Sequence, residues 1–125
     1  MACRFSELVV DCRDPVALAA FWAAVLDYRV LSREEGAVEI GPEAGFGGPA
    51  PTLVFGPADH PTPGKLRLHI DLNPTDRDQD AELQRLLALG AVPADVGQTG
   101  DEDWHVLADP EGNEFCLLKR RLDPL

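Results

Sequence analysis

A chain of 125 residues buries roughly two-thirds of its unfolded surface on folding, so one domain can form without disulfides or a structural metal. Twenty-two Asp and Glu against eleven Lys and Arg leave a net charge of −11; such a surface repels nucleic acid and anionic membranes and attracts cationic small molecules. Three irregularly spaced cysteines make no disulfide framework, and with no secretory-type leader or run of about 18 apolar residues the expectation is a cytoplasmic protein.

In chain order, residues 4–12 alternate as a strand, with Leu8 and Val10 on one face and Glu7, Val9 and Asp11 on the other. Asp14-Pro15 follows as an N-cap with proline at the first helical position. Residues 15–26 then place Leu18, Phe21, Trp22, Val25 and Leu26 on one helical stripe. Short strands are expected at 28–34, 37–41 and 52–56, with a Gly- and Pro-rich loop at 42–51. The 57–65 segment, carrying Pro57, Pro61, Pro63 and Gly64, is a junction.

Beyond the junction, residues 66–72 alternate again, with Leu68, Ile70 and Leu72 opposite Arg67, His69 and Asp71. The spacing predicts a helix over 76–89, with Ala81, Leu83, Leu86 and Leu87 inward and Gly90 as C-cap, and then strands at 91–96, 103–108 and 114–119. The order strand, helix, three strands thus occurs twice. An offset of 62 residues puts Glu7 on His69, Asp14 on Asp76 and Val30 on Val92, as a duplicated half-domain would. The expected organisation is a single domain over 1–125 with half-modules of about 1–58 and 65–121. If each helix covers one face of its sheet, the other faces, carrying Glu7, Asp11, His69 and Asp71, would line a cleft for a ligand.

The ending Trp104-His-Val-Leu-Ala-Asp-Pro-Glu-Gly-Asn-Glu-Phe-Cys-Leu-Leu118 is the most specific stretch, a hairpin turned at Asp109-Pro110-Glu111-Gly112. It resembles the final hairpin of the glyoxalase/bleomycin resistance/dioxygenase superfamily, the vicinal oxygen chelate fold, and in particular its glyoxalase-like domain group. The stretches 8–22 and 68–72 resemble that family's first strand and helix and the start of its second half. The resemblance implies an α+β fold of two βαβββ modules forming a curved, barrel-like mixed sheet around a central cleft. It also implies a homodimer.

Metal-bearing members of that family place one ligand on each of four strands. Carried over by motif, these fall on Glu7, His69 and Cys116, and the fourth falls where only Val54, Phe55 and Gly56 stand. Glyoxalase I activity itself is therefore not expected, while Glu, His and Cys together suit one divalent ion such as Zn, with Fe, Ni and Mn the alternatives. The expected ligand-contacting residues are Glu7, Asp11, Phe46, Phe55, His69, Asp71 and Trp104, the aromatic members by stacking on a planar molecule. Phe46 lies in a Gly-rich segment, 45–48, that either flaps over the site or is an ordinary connection. Two functions stay open. One is binding of a small organic ligand, aromatic or cationic, as in antibiotic resistance by sequestration. The other is a metal-dependent lyase, isomerase or dioxygenase.

Overall fold

The computed structural model describes residues 2–125, which divide into two compact units, one ending at Pro61 and the other beginning at Thr62. The first contains β1 (Glu7–Cys12), α1 (Pro15–Leu26), β2 (Arg29–Glu34), β3 (Ala37–Gly41) and β4 (Thr52–Pro57). The second contains β5 (Ile70–Leu72), α2 (Gln79–Leu89), β6 (Val92–Pro93), β7 (His105–Ala108) and β8 (Glu114–Leu117). Each unit is a βαβββ module, and each forms its own four-stranded sheet, in the order β1-β4-β3-β2 or β5-β8-β7-β6. Within each sheet the first and last strands pair in parallel and the remaining pairs are antiparallel.

α1 begins and ends where the sequence places it. The Asp14 carboxylate accepts from the Ala17 amide at 3.1 Å, Pro15 fills the first turn, and Asp27 closes the helix in the left-handed region at φ 56°. Leu18, Ala19, Phe21, Trp22 and Val25 are buried, and α1 packs on β3 and β4. From the sheet, Val38, Ile40, Leu53 and Phe55 meet this stripe, each 6 % exposed or less. Phe21 and Trp22 sit edge to face at 5.4 Å and 87°. Burying side chains of this size contributes about 1.5–3 kcal/mol each relative to exposure. β2 and β3 are joined at Glu35-Gly36, both with positive φ, as a tight hairpin turn requires.

The second unit departs from the expected boundaries. α2 starts at Gln79, not at 76, because Asp78 is the cap: its carboxylate accepts from the Ala81 amide at 2.8 Å. Asp76, the residue that the 62-residue offset pairs with Asp14, bonds Arg77 instead, and the guanidinium holds its carboxyl below the usual range. Leu86 is the one buried residue of α2, while Ala81 is exposed. The expected strand over 66–72 narrows to three residues, because β8 offers partners only to Ile70, Asp71 and Leu72, and Leu68 is left 77 % exposed. β6 is a two-residue edge strand ending in Pro93. Gln79 ties the helix to the sheet, donating from Nε2 to the Asp103 carbonyl at 2.7 Å and the Leu117 carbonyl at 3.3 Å.

The β7–β8 hairpin is held by Asp109, which is 3 % exposed. Its Oδ1 accepts from the Glu111 and Asn113 amides, and Asn113 Nδ2 donates to both carboxylate oxygens, all within 3.1 Å. Gly112, at φ 84°, closes the turn by donating to the Asp109 carbonyl. Replacing Asp109 with alanine strands these partly buried donors, so urea unfolding is expected to show a loss of about 2 kcal/mol. In the same assay Asp78→Ala should cost about 1 kcal/mol, whereas Asp76→Ala should cost next to nothing.

Candidate functional site

Because a strand alternates its side chains, a sheet whose apolar face is taken by a helix presents every second residue on its open face. In the first unit, cross-strand register sets Glu7 beside Thr52, and Val9 beside Val54, which itself faces Glu39. Glu39 Oε2 accepts from Thr52 Oγ1 at 2.9 Å, and Oε1 accepts from Ser32 Oγ at 3.3 Å. Asp11 is exposed farther along β1. Phe46 is 60 % exposed in the 42–51 loop, whereas Phe55 is fully buried, its ring spent in the core between sheet and α1.

The second unit gathers the chemistry. Parallel pairing of β5 with β8 sets Asp71 abreast of Cys116, and antiparallel pairing sets Val106 on the other side of Cys116. His69 lies two residues before Asp71, and its Nε2 is 3.2 Å from Asp71 Oδ1. One donor atom from each of His69, Asp71 and Cys116 falls within 4.8 Å of the others. Half of each of the His69 and Asp71 side chains stays exposed, so both can turn toward a ligand. His105 takes no part: it pairs with Leu117, on the opposite face from Cys116.

These residues line a hollow of about 440 Å³. Trp104, Val96, Val106 and Leu118 supply its apolar wall, and Trp104 is 45 % exposed. Lys65 and Glu114 join the cluster as its polar edge. A smaller hollow, of about 290 Å³, lies at the start of α2 between Asp78, Asp80, Lys119 and Arg121 and has no aromatic wall.

Of the residues singled out from sequence, His69, Asp71, Trp104 and Cys116 therefore share one hollow, while Glu7, Asp11, Phe46 and Phe55 belong to the first unit. Sequence reasoning missed Glu39, Lys65, Val106 and Glu114. Two of them carried a signal: Glu39 is the polar residue between buried Val38 and Ile40, and Glu114 shares the parity of Cys116.

Burial pushes the Cys116 thiol above its ordinary pKa, and the neighbouring Asp71 carboxylate, which accepts a hydrogen bond from it, raises it further. A raised thiol pKa means that the neutral form persists at neutral pH and thiolate appears only in more alkaline solution. In a Cys3→Ser background, Asp71→Asn is expected to speed iodoacetamide alkylation of Cys116 several-fold at fixed pH. An unchanged rate would mean that the carboxylate does not govern the thiol.

The model of the glyoxalase-like domain family matches residues 7–118. No curated protein matches the sequence. Among solved structures, a glyoxalase/bleomycin resistance protein/dioxygenase family enzyme from Burkholderia phytofirmans PsJN is 18 % identical with a TM-score of 0.70, over 92 % of this chain and 97 % of that one. The fosfomycin resistance protein FosX from Mesorhizobium loti is 15 % identical, TM-score 0.68, over 94 % and 92 %. FosX from Listeria monocytogenes, complexed with Mn(II) and sulfate, is 14 % identical, TM-score 0.71, over 95 % and 91 %. At such identities these structures speak to the fold, and no helix among the described residues is long and apolar enough to cross a membrane. With the family match covering both βαβββ modules, the chain belongs to the glyoxalase-like domain family of the glyoxalase/bleomycin resistance/dioxygenase superfamily.

Proposed function

We propose that this chain binds a small organic molecule, aromatic and cationic in character, on the open face of the second unit's sheet. The observation that carries this reading is the hollow in which the exposed Trp104 ring stands near the Asp71 and Glu114 carboxylates over an apolar wall. An aromatic ligand stacks on the indole, and a protonated amine gains both from the ring's negative face and from the acids. The overall charge of −11 adds steering toward a cation. Binding of this kind, without turnover, is all that sequestration of a toxic compound requires. A phosphonate, as held by FosX from Listeria monocytogenes, would meet two carboxylates here and one lysine.

A second reading, metal-dependent chemistry of the vicinal oxygen chelate type, is favoured by one observation, the convergence of His69, Asp71 and Cys116. Imidazole, carboxylate and thiolate are a donor set suited to zinc. When bound, the ion would polarise adjacent oxygens of a substrate. In that case the residues of the hollow would orient the substrate, with Trp104 and Val106 excluding water from one side.

For the first reading, aromatic amines are expected to raise the melting temperature and equally sized aromatic acids to leave it unchanged. Trp104→Ala should weaken amine binding about ten-fold, the loss of roughly 1–1.5 kcal/mol of stacking and cation–π attraction. Amines and acids acting alike would sink the electrostatic part of the reading. For the second, elemental analysis of untagged protein purified without chelator is expected to find one metal per chain, lost in His69→Ala. No metal in either protein returns the argument to binding alone.

A further inference from the structure

We infer that the metal-binding set of this chain is His69, Asp71 and Cys116, contained wholly within the second unit, and that it takes zinc in preference to manganese. The inference rests on the second reading above, that the chain holds a metal. It differs from the set that the family resemblance suggests, which draws Glu7 from the first half and has no place for Asp71.

The placement follows from the ladder. In-register parallel pairing brings Asp71 and Cys116 side by side on neighbouring strands, and His69 precedes Asp71 by one alternation, on the same side. Donor atoms around a tetrahedral zinc lie roughly 3.3–3.7 Å apart, given metal–ligand distances of about 2.0–2.3 Å. The Nε2–Oδ1 pair is already at 3.2 Å, and the whole set is within 4.8 Å. The His69 and Asp71 side chains are half exposed, which leaves them room to rotate toward a shared ion.

Charge and chemistry agree. A neutral imidazole, a carboxylate and a thiolate carry two negative charges, which match a divalent ion. Asp71 now bridges its neighbours, meeting the imidazole on one side and accepting from the thiol on the other. An ion would replace that bridge with bonds to all three groups, and the thiol proton would leave to solvent. The thiolate separates zinc from manganese, because soft sulfur favours the former and manganese prefers oxygen donors. Three protein donors would leave a tetrahedral zinc one position for water or substrate, the arrangement of a catalytic rather than a structural zinc, and all three donors line the hollow.

The test is a Co(II) titration of the full chain after treatment with chelator, followed by competition with Zn(II) or Mn(II). Wild type is expected to take up one Co(II) with a near-ultraviolet thiolate charge-transfer band, and Cys116→Ser to abolish the band. Asp71→Asn should weaken binding at least ten-fold, with Asp71→Glu recovering part of the loss, while Glu7→Gln should bind as wild type does. Zn(II) should displace Co(II) at equimolar concentration, and Mn(II) should fail to do so at ten-fold excess. Circular dichroism and melting of the metal-free variants identify any that misfold. If wild type binds no Co(II), the metal reading falls and this inference with it. If Co(II) binds but its affinity depends on Glu7 as much as on Asp71, or Mn(II) displaces it as readily as Zn(II), only the inference is overturned.

Discussion

In each unit the first strand lies parallel to the last, β1 against β4 and β5 against β8, and the placement of the chemistry follows from that pairing. A parallel pair cannot be closed by a tight turn, so a helix and two further strands have to run between its members. Glu7 faces Thr52 and Asp71 faces Cys116, both pairs forty-five residues apart in the chain. The intervening connections differ, with the long loop at 42–51 before the last strand of the first unit and at 94–104 before the third strand of the second. The differences cancel, and the register survives in both halves. One register step in either direction would turn Cys116 to the face that carries the buried Phe115 and bring Leu117 to the open face.

The two units use this shared plan differently. The first buries a full stripe of its helix, and the acid on its open face, Glu39, is clasped by the Thr52 and Ser32 hydroxyls. The second buries only Leu86 from its helix and leaves His69 and Asp71 half exposed beside a hollow. A carboxylate held by hydroxyl donors is fixed in place and already solvated by the protein. One shared between an imidazole and a thiol can exchange those partners for a ligand. The same topology thus supports a rigid open face and a responsive one.

Much of this was legible in the sequence, and the exceptions have physical reasons. α1 could be read to its ends because Asp14, Pro15 and a wide apolar stripe agree. α2 could not, because Asp76 and Asp78 are both competent caps and only the bond to the Ala81 amide distinguishes them. Alternation from 66 to 72 looked like a full strand, but a strand extends only as far as its ladder, and β8 pairs with only three of those residues. Asp71 and Cys116 were each visible in the sequence, one as a polar strand residue and the other amid Phe115, Leu117 and Leu118. What joins them is a long-range register that no local pattern encodes. Phe55 shows the reverse error: an aromatic on a strand suggested a stacking surface, but its parity turns it to the helix.

Pro93, at the end of the short edge strand β6, bears on how the molecule behaves in a crowded solution. An exposed sheet edge is a template on which strands from other molecules can polymerise. Here the edge spans two residues, one of which has no backbone N–H to offer an incoming chain. Strand addition to this side of the second sheet is therefore disfavoured from its first step. The same brevity leaves β6 few ladder bonds of its own, so in amide hydrogen exchange this margin should open well before the β7–β8 hairpin beside it.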